Sequence, residues 1–293
     1  MIAKLEDVRK LFGGRAALDG LSFNLEPGHV YGFLGENGAG KTTALRSLMG
    51  LYGLDGGAIR VFGEDPREFQ LSTKARVAYL PEDDFLPKWM CPRELGDFHG
   101  AHFPTWDADW YRDLLDCFGL PEKKKVGALS KGNRRRAAIA LTLATRAELL
   151  LLDEPASGLD PNARGDFIAA LMSLTLNGDT TILFSTHALG DIEKAADHVL
   201  IITHGRLALD EELDTLRDSL HRVRPAGALN VGEVKRNFEV LGSDQDIRDG
   251  DFLVRGNDRE AVEGKLRKLD PLVHVLPFSL EALFRCVTQR DGR

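Results

Sequence analysis

The sequence predicts an α/β fold, a doubly wound and mostly parallel sheet organised around a phosphate loop, and three observations carry that reading. Gly35-Glu36-Asn37-Gly38-Ala39-Gly40-Lys41-Thr42-Thr43 fits the pattern G-x-x-x-x-G-K-[ST]. It lies between Val30 to Leu34, an apolar run that reads as a buried strand, and Ala44 to Met49, which reads as a helix. Leu149 to Leu152, four apolar residues ending in Asp153-Glu154, is the pattern of a parallel strand covered on both faces, and Thr181 to Phe184 reads as the next one.

Glycines let the loop backbone curl until successive N–H groups point at one anion, and the start of the helix near Lys41 adds its positive dipole end there. Lys41 brings a mobile cation to the β and γ phosphates, and the Thr42 hydroxyl suits a magnesium ion that keeps water and phosphate oxygen as its other ligands. A glycine-rich turn matching by chance is the bland alternative, and the correctly placed strand and helix speak against it. Asp153 suits the same ion, directly or through water, and Glu154 would face the attacking water; Asp capping a turn is the plainer reading. Roughly 110 residues separate the loop from this pair, a span that fits one doubly wound sheet. Thr181 to Phe184 leads into Ser185-Thr186-His187, which sets His187 within reach of a γ-phosphate; a lone His at a strand end is otherwise structural.

Upstream, Ile2 to Val8 and Leu21 to Leu25 alternate as strands, and Pro27-Gly28 turns into the strand that feeds the loop. Phe12, in a loop with Gly13 and Gly14, either stacks on a nucleotide base or plugs the loop against the core. Ala58 to Phe62 and Arg76 to Leu80 read as strands, with a short helix over Pro66 to Thr73 between them. All three tryptophans, Trp89, Trp106 and Trp110, then cluster with Phe85, Phe98, Phe103, His99 and His102, as the core of a small helical subdomain or the lining of a groove for a partner's helix. The helical spacing of His99 and His102 allows metal ligation, but no cysteine or third histidine stands near. Arg134 to Ala147 reads as a strong helix whose first turn carries three arginines against its dipole; a nearby anion would offset that cost, and solvation of the long stems at the surface would also tolerate it. Toward the C-terminus, Phe252 to Val254 and Leu272 to Leu276 read as strands around a helix from Arg259 to Leu269, with a last helix over Ser279 to Thr288.

A chain of 293 residues exceeds one ordinary domain and falls short of three, which suggests one nucleotide-binding body, residues 1–220, and a small α+β appendage, residues 225–293. The formal charge is −7 and basic residues form no tract, which argues against nucleic acid as the main partner. Cys91, Cys117 and Cys286, odd in number and widely spaced, suggest neither a disulfide framework nor a zinc site, and so a reducing, cytosolic compartment. Met1 to Lys10 mixes charges and is not expected to be a signal peptide, and no apolar run approaches the span of a bilayer. A membrane role would come through a partner.

With these segments in one order, the chain resembles the ATP-binding cassette, or ABC, family of ATPases over about residues 1 to 220. The matching residues are Gly35 to Thr43 for the phosphate loop, Glu82 at the glutamine-loop position, and Leu129-Ser130-Lys131-Gly132-Asn133 for the signature motif. Leu149 to Glu154 match the magnesium strand, Ser157 to Asp160 the D-loop and His187 the switch histidine. The resemblance implies an antiparallel β subdomain, a mostly parallel core sheet and a helical subdomain over about residues 85–147 that docks a helix of an integral membrane subunit. It implies two cassettes, identical or related, facing head to tail around two ATP molecules, with Ser130 and Gly132 gripping the other cassette's γ-phosphate near Arg134 to Arg136. It further implies Glu154 as general base, His187 at the γ-phosphate and water, magnesium on Thr42, Asp153 and Glu82, and Phe12, Gly35, Asn37, Gly38, Gly40, Lys41, Thr43 and Asp160 around the nucleotide. The expected location is cytoplasmic, peripheral on the inner face of the membrane. Glu82 in place of glutamine and the Leu129-Ser130-Lys131-Gly132 run look like bacterial exporter cassettes. Lys131 replaces a glycine, and Asn133 replaces a glutamine with a shorter amide. A soluble relative acting on ribosome or DNA is the alternative; such relatives usually carry two cassettes or a long coiled-coil insertion, and this sequence has neither.

Overall fold

A computed structural model describes residues 1–83, 86–176, 178–226, 229–242, 247 and 251–288; Phe85, placed by the sequence in the aromatic cluster, lies outside them. Strands β1 (Ala3–Phe12) and β2 (Arg15–Leu25) form a hairpin whose two-residue turn, Gly13-Gly14, has positive φ at both positions. That geometry is cheap only for glycine and matches the strand twist. Phe12 is therefore the last residue of a strand rather than part of a loose loop. After β3 (Val30–Leu34) and helix α1 (Lys41–Leu48), β4 (Gly56–Val61) pairs antiparallel with β1 and completes a sheet of order β2-β1-β4. The expected helix over Pro66 to Thr73 is a 3₁₀ turn, Pro66–Glu68, followed by α2 (Leu71–Lys74).

The central sheet has the order β5-β6-β7-β3-β8-β9, from β5 (Val77–Leu80), β6 (Leu149–Leu152), β7 (Thr181–Thr186), β8 (His198–Thr203) and β9 (Arg206–Glu212). Every pairing is parallel except β8 with β9. The apolar run of β6 is explained by its two faces. Leu150 and Leu152 enter a core shared with the helical section, whereas Leu149 and Leu151 enter a core shared with α1 and the antiparallel sheet. Alternate side chains of a strand point to opposite faces, so a strand covered twice has no polar positions.

The helical section comprises α3 (Pro92–Gly100), α4 (Ala108–Cys117) and α5 (Lys131–Leu143). Trp106, Trp110 and Phe103 pack against its core, while Trp89 and Phe98 are exposed. Helix α5 begins three residues before the expected start, because Ser130 caps it by accepting from the Asn133 amide. The three arginines consequently sit past the first turn, where the dipole opposes them less.

Beyond α6 (Pro161–Thr175), α7 (Leu189–Ala195) and α8 (Leu213–Ser219), a second antiparallel sheet has the order β11-β12-β10-β13. Its strands are β10 (Leu220–Arg224), β11 (Glu239–Leu241), β12 (Phe252–Arg255) and β13 (His274–Leu276), with α9 (Val231–Asn237) and α10 (Arg259–Arg267) packed alongside. Strands β10 and β11 and helix α9 went unread in the sequence. Val223, Val234, Phe252, Val262 and Leu266 form a small core of their own, and α11 (Leu280–Thr288) turns back onto the main body.

Candidate nucleotide site

Parallel strands carry their C-terminal ends to one edge of a sheet. Here that edge receives the loop after β3, Glu82 after β5, Asp153-Glu154 after β6 and His187 after β7. They enclose a cavity of about 390 Å³ lined by Glu36, Asn37, Gly38, Gly40, Lys41, Thr42 and Thr43, with Ala17, Glu82, Glu154, Ser157 and His187. Gly38 (φ 83°) and Gly40 (φ 112°) occupy left-handed backbone, and a Cβ on Gly40 would stand 2.5 Å from the Ala17 carbonyl. The loop can make this curve only with glycine at these two positions.

Lys41 is buried, and its ammonium donates to the Gly35 carbonyl at 2.6 Å and the Glu36 carbonyl at 3.3 Å, with Glu154 Oε1 at 3.9 Å. Burial pushes its pKa below the ordinary lysine value, while the charges of Glu154, Asp153 and Glu82 pull the other way. Asp153 is wholly buried. Its Oδ1 accepts from Thr42 Oγ1 at 3.1 Å and from Ser185 Oγ at 2.8 Å, whereas Oδ2 is buried with no hydrogen-bond partner among the described residues. An orphaned carboxylate oxygen is costly unless something positive meets it, so a hydroxyl and a half-satisfied carboxylate form a donor set that fits magnesium.

Glu154 follows directly, with φ of 46°, a conformation that costs a non-glycine residue of order 1–3 kcal/mol and that clusters at functional sites. Its amide donates to Ser185 Oγ at 2.9 Å, and its Oε2 lies 2.8 Å from His187 Nδ1. The carboxylate is buried while the imidazole is two-thirds exposed, so His187 forms the solvent side of the pair. Ser185, whose hydroxyl joins both acidic residues, was not singled out in the sequence. Its strand end was read, but its role depends on which residue of β6 lies beside it.

The remaining sequence-derived residues stand elsewhere. Gly35 is packed under the loop, where a Cβ would meet the Ile202 carbonyl at 2.7 Å. Phe12 is half exposed, edge-on to Tyr52 with ring centroids 5.4 Å apart, and is not among the lining residues. Ser130 is exposed at the tip of α5, and Gly132 lies beside the Gly158 carbonyl. Asp160 caps α6 through the Asn162 and Ala163 amides, each at 3.1 Å, and is paired with Arg136. An offsetting anion is thus supplied within the chain for Arg136. Arg135 turns inward onto main-chain carbonyls, and Arg134 donates to the Leu129 carbonyl. A second cavity of about 420 Å³, between α3 and α4, is lined by Arg93, Trp106, Tyr111 and Glu122 among others and shares no residue with the first. Among the described residues no helix is long and apolar enough to cross a membrane.

Comparison with known proteins agrees with this geometry. A family described as ABC transporter matches residues 18–157, and one described as AAA domain, putative AbiEii toxin, Type IV TA system matches residues 125–190. The bacitracin transport ATP-binding protein BcrA of Bacillus licheniformis is 32% identical, over 92% of this chain and 89% of its own. The Nod factor export ATP-binding protein I of Paraburkholderia xenovorans (strain LB400) is 37% identical, over 69% of this chain and 68% of its own. A solved ATP-binding subunit of an ABC transporter superposes with a TM-score of 0.68 at 26% identity, covering 74% of this chain and 92% of that one.

Proposed function

The chain belongs to the ABC family of transporter ATP-binding proteins, and from that premise we propose that ATP binding closes a head-to-tail pair of cassettes, that hydrolysis with Glu154 as general base reopens it, and that the cycle drives export through a separate membrane subunit. The observation that carries the reading is the Glu154 carboxylate, buried beside the Lys41 ammonium and bonded to His187 on the wall of the cavity that the phosphate loop opens into. A carboxylate so placed takes the proton of a water attacking the γ-phosphate, and His187 keeps it oriented. Lys41 and the loop amides hold the phosphates. Thr42 and Asp153 would hold magnesium, with Glu82 on the same wall; the ion, when bound, offsets phosphate charge. Phe12 stacks on the base at the rim, and Asp160 belongs to the face turned toward the second cassette.

Ser130 and Gly132 sit away from their own chain's cavity, which supports a role across a dimer, at the phosphates of a second cassette. The exposed Trp89 and Phe98 suit a helix of the membrane subunit, and that partner holds the chain at the cytoplasmic face of the membrane. Export is favoured by Glu82 and the signature run, and a relative's printed function points the same way. The division into an ATPase unit, residues 1–220, and a C-terminal unit, residues 225–293, is supported by the separate small core, with β10 moving the boundary to about Leu220.

The test is Glu154→Gln, which is expected to keep ATP binding and lower hydrolysis by roughly 100-fold or more, the scale of a lost general base. Its mass in solution should rise from monomer to dimer with ATP and magnesium, and Ser130→Arg should abolish the rise. Turnover near wild type removes Glu154 from the role; a persistent monomer with ATP bound removes the homodimer.

A further inference from the structure

Arg135 is 5% exposed, on a helix whose neighbouring arginines reach the surface. Its planar guanidinium spreads over the ends of two core strands. Nε donates to the Pro155 carbonyl at 3.0 Å, and Nη2 to the carbonyls of Asp153 at 2.8 Å and Glu154 at 2.9 Å. Nη1 donates to the carbonyls of Pro81 and, at 3.2 Å, Glu82. A guanidinium has five N–H donors in a fixed fork, and each of these bonds uses one. Three of the acceptors, Glu82, Asp153 and Glu154, are residues of the proposed catalytic machinery, held here by their main chain, which leaves the side chains of Asp153 and Glu154 to Thr42, Ser185 and His187.

We infer that Arg135 is a positioning residue for ATP hydrolysis. It fixes the Asp153-Glu154 and Pro81-Glu82 backbones relative to each other and ties both to helix α5. The tie has a direction. The tip of α5 carries Ser130 and Gly132, which in the head-to-tail reading meet the other cassette's phosphate, and the same helix one turn further grips the carboxylates of its own site. Engagement of one nucleotide thereby sets the backbone that aims Glu154 at the other. Glu154 already holds left-handed backbone, so small displacements of its carbonyl re-aim its side chain. Lysine has a single tetrahedral ammonium with three donors and cannot reproduce the fork.

This inference rests on Glu154 being the base, so the experiment carries Glu154→Gln alongside. Arg135→Gln and Arg135→Lys are compared with wild type in ATP affinity, by equilibrium binding of ATP with magnesium, and in kcat per bound ATP. The expected result is wild-type affinity with kcat lowered about 10- to 100-fold in both variants, the range for outer-shell partners of site ligands. A role in fold stability alone would not separate kcat from affinity. Wild-type kcat in Arg135→Lys overturns the inference, since charge and stem then suffice. Loss of ATP binding or of folded protein in both variants also overturns it, leaving Arg135 as a residue of the fold only. If Glu154→Gln turns over normally, the functional reading fails; if it is slow while the Arg135 variants are fast, only the positioning role fails.

Discussion

Ser185 carries more of the site than its size suggests. Its buried hydroxyl donates to Asp153 at 2.8 Å and accepts from the Glu154 amide at 2.9 Å, so one side chain orients the carboxylate that suits a cation and the backbone of the proposed base. Removing the hydroxyl leaves a second buried oxygen of Asp153 with a weaker partner set, and the amide of Glu154 unsatisfied. Ser185→Ala is therefore expected to raise the magnesium concentration for half-maximal ATPase activity by about 10-fold or more, with ATP binding in the absence of hydrolysis little changed. A magnesium titration of the steady-state rate checks this, and an unchanged midpoint would remove Ser185 from the cation's support. The residue was invisible in the sequence for a physical reason. Asp153 and Glu154 announce themselves by following an apolar strand, whereas Ser185 matters only because β6 and β7 pair in the register Leu152 to Phe184, which puts the next residues side by side.

At the scale of elements, legibility followed burial. Strands β3 and β6 and the end of β7 were readable because strands covered on both faces must be apolar, and the phosphate loop because its curve demands glycine. Helix α5 starts earlier than its apolar pattern suggests because Ser130 caps it, and the C-terminal sheet is only half legible because β10, Leu220-His221-Arg222-Val223-Arg224, hides its strand behind long polar side chains. Those side chains have a use. Arg222 and Arg224 both donate to the carboxylate of Asp251, which precedes the neighbouring strand β12, at distances that include 2.6, 2.8 and 2.9 Å. The Arg224 hydrogen bond, with Arg222 beside it and against the cost of burial, brings the Asp251 carboxyl down to about 2. A carboxyl lowered by folding adds stability above its unfolded value, near 3.9, and loses it as the pH falls toward 2; the contribution is about 2 kcal/mol at neutral pH. Asp251→Asn should thus destabilise the C-terminal sheet at pH 7 by about that amount, with the gap to wild type closing between pH 4 and pH 2. Denaturant titrations at several pH values decide it, and a gap that does not depend on pH would mean that the arginines do not hold the carboxylate.

As a whole, the ATP-hydrolysing transporter subunit is fastened together by its last described helix. In α11, Leu280, Leu283, Cys286 and Val287 enter the same core as Leu150, Ile182 and Val199 beneath the nucleotide edge. The helix lies against α7, β8 and β9 on one side and β11 and β12 on the other. Arg285 donates to the Asp251 carbonyl at 2.7 Å, and Arg255 of β12 reaches Glu211 of β9 at 2.7 Å. A small sheet with so modest a core would unfold first if it stood alone, but here its unfolding strips α11 from the main core and exposes fully buried leucines. The two parts are therefore expected to melt in one transition, and ATP, by binding the native chain, should raise the melting of both together by mass action. Leu283→Ala separates the cases. It opens a cavity at the shared seam, with a cost of about 2–5 kcal/mol, while leaving each part's other contacts in place. Calorimetry of this variant should show the single peak broaden or divide, with ATP moving only the higher component. Two resolved transitions in the wild-type protein would show instead that α11 belongs to one body and merely rests on the other.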